Sequence, residues 1–174
     1  MISSARLALV PHNLESCICR ANKLPCELCC GDLCFLDDGI HVVFRPKRGE
    51  VAVALALDGC VFTDNRKKCD GMFVLSRAGQ IYVLLVELKG SHIDDAYEQI
   101  SFVVNHRQEY RDVINSLSPK VANAKQIKQR SFIVTTSAID LSVRQKLENA
   151  YRVRPEIITV EKPASLAPDL RKKI

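Results

Sequence analysis

Hydrophobic positions along the chain follow two rhythms, and the change from one to the other divides it. Residues 40–44 form a short apolar run between the turn Asp37-Asp38-Gly39 and the polar stretch Arg45-Pro46-Lys47-Arg48-Gly49, which reads as a strand. Residues 51–57 alternate Val or Leu with Ala, so large side chains face one way and small ones the other. That suits a strand against a tight neighbour, with a short buried helix as the alternative. After Asp58-Gly59 and a polar turn at 64–68, residues 72–75 read as a strand, and Ala78-Gly79-Gln80 closes a hairpin. Residues 81–88 are the strongest strand. Their continuous apolar run up to Glu87 implies burial on both faces, as in a central strand.

Beyond Gly90 the period becomes helical. Ser91 reads as the N-cap, with Asp94 three residues on. Ile93, Ala96, Ile100, Val103, Val104, Val113, Ile114 and Leu117 continue one stripe to Ser118-Pro119. A basic stretch follows, carrying Lys120, Lys125, Lys128 and Arg130. Residues 131–136 read as a strand, 141–151 as a helix and 157–160 as a last strand. This order predicts an α/β fold with a mixed central β-sheet flanked by helices. It also predicts two parts, a Cys-rich segment at 1–38 and an α/β domain at 39–174.

Composition narrows the class. The 174 residues are 47% hydrophobic and 26% charged, the profile of a soluble globular domain able to bury a core. No apolar run approaches the roughly 20 residues of a membrane span, and the first ten residues carry no secretory pattern. No membrane partner and a reducing, cytoplasmic setting are therefore expected. In that setting clustered thiols are metal ligands more often than disulfides. Six of the eight cysteines fall between Cys17 and Cys34, and Cys26-Glu-Leu-Cys29 has the spacing with which two thiolates reach one tetrahedral ion. A structural Zn²⁺ site of Cys17, Cys26, Cys29 and Cys34 is one expectation. Cys19 and Cys30 are alternative ligands, with His12 and His41 as substitutes. Small buried thiols form the bland alternative, and disulfides or redox chemistry a third.

The chemistry concentrates at the end of the strongest strand. Glu87 and Lys89 are two apart and share a face. Ionised groups finishing a buried strand cost several kcal/mol each in desolvation unless well partnered. Asp70 opens the preceding strand and, across the hairpin, falls beside Glu87. Two adjacent carboxylates repel unless a cation lies between them, and Mg²⁺ (or Mn²⁺) suits such oxygen donors. A lysine beside them can serve the attacking water or neutralise charge on a phosphate.

Asp70, the hairpin, Glu87-Leu88-Lys89 and the helix that follows resemble the PD-(D/E)XK nuclease superfamily of restriction endonucleases and junction resolvases. The resemblance spans about residues 40–136 and implies a restriction-endonuclease-like core. It implies Asp70 and Glu87 as metal ligands, the Leu88 carbonyl as a further ligand and Lys89 as the catalytic lysine. It also implies an upstream acid, Glu50 with Asp58 in reserve, and Gln99 on the following helix. Cys69 stands where the family often has Pro. The implied function is metal-dependent hydrolysis of phosphodiesters in nucleic acid, DNA before RNA. Family members often dimerise, which leaves a homodimer open.

The net charge of +5 and the basic residues Lys120, Lys125, Lys128 and Arg130 fit phosphate contacts, although a solvated loop explains them equally well. Scarce aromatics (6%) and no Trp argue against base stacking on single strands and for recognition of a duplex backbone. His92, just past the lysine strand, reads first as a solvated helix-start residue and second as a substrate contact. The competing function is a catalytically inactive nucleic-acid- or protein-binding module on the same fold.

Overall fold

The computed structural model of the chain describes residues 3–118, 127–161 and 166–174. It is a mixed α/β structure with a five-stranded mixed sheet and a separate three-stranded sheet. A short helix α1 (Ser4–Leu7) and a 3-10 helix (His12–Cys17) precede β1 (Cys29–Gly31), β2 (Cys34–Asp37) and β3 (Ile40–Val43), which form the small antiparallel sheet. The large sheet has the order β4 (Val51–Ala56), β5 (Gly71–Arg77), β6 (Gln80–Lys89), β7 (Ile127–Thr135), β8 (Glu156–Thr159). Its first three strands form an antiparallel meander, and β7 and β8 add in parallel. Helices α2 (Ile93–His106) and α3 (Gln108–Leu117) link β6 to β7, and α4 (Leu141–Tyr151) links β7 to β8. β6 is thus central, as its unbroken apolar run predicts.

The two faces of the large sheet carry different cores. One face, including Val53, Leu55, Met72, Val83 and Leu85, packs against Ala96, Ile100, Val103, Val113 and Leu117 of the helices. The other face, including Ala52, Ala54, Ala56, Phe73 and Val86, packs against Phe35, Ile40, Val42 and Phe44 of the small sheet. The alternation in β4 follows from this, since its large residues meet the helices and its alanines admit the small sheet closely. The helices therefore cover one face, joined there by Leu9, Val10, Cys17 and Ile18, and the small sheet covers the other. Because β2 and β3 pair as a hairpin through Asp38 and Gly39, residues on both sides of position 38 belong to one sheet.

Three local features differ from the sequence-based expectation or refine it. The β5–β6 turn is the two-residue pair Ala78-Gly79, both at positive φ (47° and 76°), the geometry whose twist matches a hairpin. The α2 N-cap is His92 rather than Ser91, in the left-handed region at φ 60°. The single helix expected over 93–117 is broken at Arg107, whose backbone is extended. Arg107 is fully buried and donates to both Asp64 carboxylate oxygens at 2.7 Å and to the Lys67 carbonyl at 3.1 Å. A buried guanidinium needs most of its donors partnered, and the break turns it toward the 64–67 loop.

Candidate active site

The site lies where β5 begins and β6 ends. Gly71 pairs with Val86, so Asp70 comes beside Glu87. The Asp70 amide donates to Glu87 Oε2 at 3.3 Å, and the Leu88 amide donates to Asp70 Oδ2 at 2.6 Å. Each carboxylate is held by one oxygen, which leaves Asp70 Oδ1 and Glu87 Oε1 outside these two bonds. Lys89 Nζ donates to Gln99 Oε1 at 3.5 Å and lies 3.9 Å from Asp95 Oδ2, so the first turns of α2 hold the ammonium from beside. These groups open onto a pocket of about 370 Å³, which Leu88, Gly90 and His92 also line.

The backbone around the pocket is tied down. The Asp70 carbonyl accepts from the amides of Leu57 and Asp58 at 2.9 and 3.0 Å. The Gly90 carbonyl accepts from Thr136 Oγ1 at 2.7 Å and Ser137 Oγ at 2.9 Å. Gly71 lets the Phe35 ring approach closely, since a Cβ there would lie 2.5 Å from it. The small sheet rests on this glycine, and so its hairpin reaches the pocket.

That hairpin supplies acids that sequence reading did not assign to the site. Asp37 and Asp38 line the pocket together with Asp58, Asp70 and Glu87. The turn signal at 37–39 was legible, but nothing local indicates where the turn docks. The lining thus holds five carboxyl groups and one lysine. Burial first, then the charges of Asp37 and Asp58, push the Asp70 carboxyl up to about 7 against the pull of the Leu88 amide and Lys89. Burial, reinforced by the Asp70 charge, pushes the Glu87 carboxyl well above the carboxylate range. Cys69 next to them is fully buried and its thiol is pushed up by that burial, which makes it an inert packing residue.

Glu50 is not part of this cluster. It precedes Val51, which pairs with Ser76 at the opposite end of β4, and so lies six residues, roughly 20 Å at about 3.3 Å per residue, from the Ala56–Gly71 pair. There it accepts two hydrogen bonds from Arg171, at 2.7 Å and 2.6 Å, and lies 3.8 Å from Arg77. Arg171 holds its carboxyl down at about 2. Asp58, the reserve acid, is the one that lines the pocket, and its carboxylate sits 2.7 Å from Lys68 Nζ. Among the basic candidates, Lys120 and Lys125 lie outside the described residues. Lys128 pairs with Tyr82, five positions before the Glu87–Ile133 pair, roughly 16 Å along the strand. Arg130 is engaged by Glu156 at 3.1 Å and by the Lys173 carbonyl. Neither residue lines the pocket.

The four-cysteine set does not assemble. Cys17 is bonded to Cys60, Cys29 to Cys19 and Cys34 to Cys30, while Cys26 is free. Each of the three bonded thiols meets a different partner, so no four converge. One other group, Cys30, Cys34 and His41, brings three ligand atoms within 4.8 Å of one another and could hold a metal. No helix among the described residues is long and apolar enough to cross a membrane. No family model, curated protein or solved structure matches the chain.

Proposed function

We propose that the chain is a metal-dependent nuclease of the PD-(D/E)XK type, with a restriction-endonuclease-like core formed by β4 to β7 and α2. The observation that carries this reading is the convergence of Asp70, Glu87, Lys89 and Gln99 on one pocket. The donor set fits Mg²⁺ or Mn²⁺, since it offers hard carboxylate oxygens and its two central carboxyls resist ionisation without an added cation. Asp70 and Glu87 would hold the ion, with the Leu88 carbonyl as a further donor. When bound, the ion supplies Lewis-acid activation of water and of the phosphodiester.

The chain's own residues do the rest. Lys89, positioned by Gln99 and Asp95, holds the water nucleophile or neutralises charge developing on the phosphate. The fixed backbone of Asp70 and Gly90 keeps these groups in place, which lowers the reorganisation needed during reaction. DNA is the proposed substrate, and the cytoplasm the proposed setting.

Incubation of the protein with supercoiled plasmid in Mg²⁺ or Mn²⁺ tests the reading. Cleavage is expected in the native chain, with loss of at least about 100-fold in Asp70→Ala and Lys89→Ala. Equal cleavage by native and substituted proteins would remove the assignment. Absence of cleavage alongside retained nucleic-acid binding would favour the non-catalytic module.

A further inference from the structure

The small sheet holds a second cluster, unrelated to the acidic pocket. Cys34 pairs with Val43 and Leu36 with His41, so Cys34 and His41 are diagonal neighbours on one face of the β2–β3 hairpin. The face is the outer one, because the intervening Phe35 is fully buried against the large sheet. Cys34 Sγ and His41 Nε2 lie 2.7 Å apart. Cys30 joins them from β1, where the register shifts between Cys29 and Gly31. That bulge adds one unpaired residue and re-aims its side chain toward Cys34. Three soft or borderline donors thus meet, none of them buried.

Of the three disulfides, Cys30–Cys34 closes the shortest loop, with a sequence separation of 4 against 10 and 43. Loop closure therefore stabilises it least, and its exposure admits small thiols and disulfides. We propose that Cys30, Cys34 and His41 form a zinc site when the two cysteines are reduced, and that the Cys30–Cys34 disulfide is the form from which zinc has been expelled. Two thiolates and an imidazole suit zinc, with its fourth position left to water. The exchange balances with a small-molecule disulfide such as oxidised glutathione. One protein thiolate attacks a sulfur of that disulfide and expels one glutathione thiolate. The second protein thiolate then attacks the mixed disulfide and expels the other. The protein S–S bond forms, the glutathione S–S bond breaks, and Zn²⁺ leaves for solvent. In a reducing cytoplasm the zinc form prevails, and under oxidation the disulfide form does.

The test uses the full chain, reduced and freed of metal, and titrated with Zn²⁺ and then with Co²⁺ as a spectroscopic probe. One equivalent of zinc is expected, together with a thiolate-to-cobalt charge-transfer band. Cys30→Ser and His41→Ala should each weaken binding more than about tenfold, because even loss of a ligand's supporting partner costs about 10–100-fold. Cys26→Ser should bind like the native chain. Oxidised glutathione should release the zinc in step with formation of the Cys30–Cys34 disulfide, read by peptide mass mapping. Native-like far-ultraviolet circular dichroism qualifies each variant, and His41→Gln replaces His41→Ala if the latter misfolds. Zinc uptake unchanged by substitution at 30 and 41, no uptake by the reduced chain, or release without that disulfide would each overturn the proposal. The result is independent of nuclease activity.

Discussion

The two ends of the meander β4–β5–β6 treat buried carboxylates in opposite ways. At the Glu50 end, a guanidinium meets the carboxylate with two hydrogen bonds, and the pair is enclosed with side-chain exposures of 7% and 8%. The carboxyl there is pushed down to about 2. At the Asp70 end, the acids outnumber the cations, and the Asp70 carboxyl is pushed up to about 7. The same residue class on the same strands thus gives a matched structural ion pair at one end and an electrostatically unfinished site at the other. Strongly perturbed carboxyls gathered in a cleft mark a candidate ligand site.

The largest expected effect is at the matched end. Arg171→Ala leaves the enclosed Glu50 with only the more distant Arg77 as a cationic partner, and should cost about 3 kcal/mol in denaturant unfolding. A loss below about 1 kcal/mol would mean that the pair is not the clamp described here. At the frustrated end, Asp70→Asn should change stability little or raise it, while Mg²⁺-dependent cleavage falls by about 100-fold or more. A variant destabilised as strongly as Arg171→Ala would erase the contrast between the two ends.

Gly71→Ala sharpens the comparison from the side of the small sheet. Its methyl would meet the Phe35 ring, and the backbone it fixes carries Asp70. A loss of about 1–3 kcal/mol is expected, with easier proteolysis of the region before residue 44. Phe35→Leu in the same chain should recover part of this stability.

The smallest effect is in the pH dependence, where the ends have opposite signs. Glu50 is more acidic folded than unfolded, so its contribution is present above the ordinary value of 4.5 and is lost as pH falls toward about 2. Asp70 is less acidic folded, so its contribution is full below the ordinary value of 3.8 and is lost as pH rises through about 7. Metal-free protein should therefore lose stability between pH 4 and 8, Mg²⁺ should restore it at pH 8, and Asp70→Asn should flatten the slope. Thermal unfolding across this range measures all three. A slope unchanged by Asp70→Asn would assign the frustration elsewhere.

Much of the fold was legible because strands and helices repeat at short range. The alternation of Val and Leu with Ala predicted both the strand β4 and its tight neighbour, and the apolar run before Glu87 predicted a central strand. The meeting of Asp70 with Glu87 was legible for the same reason, since a tight Gly-containing turn at 78–80 sets the register of the seven pairs from Arg77–Gln80 to Gly71–Val86. Glu50 misled because adjacency to a strand says nothing about which end faces the site. The helix break at Arg107 was hidden because its cause, Asp64, lies 43 positions away. Asp37 and Asp38 gave only a turn signal.

The chain's local order by itself determined most of the elements, their buried faces and the placing of Asp70, Glu87 and Lys89 at neighbouring strand ends, because those properties depend on residues close in sequence. Only the tertiary structure decided which further acids join them, which arginine closes the far end and which cysteines meet. Those choices depend on how the small sheet docks on Gly71 and how the C-terminal segment returns to Glu50, contacts between residues far apart in sequence for which local periodicity carries no signal.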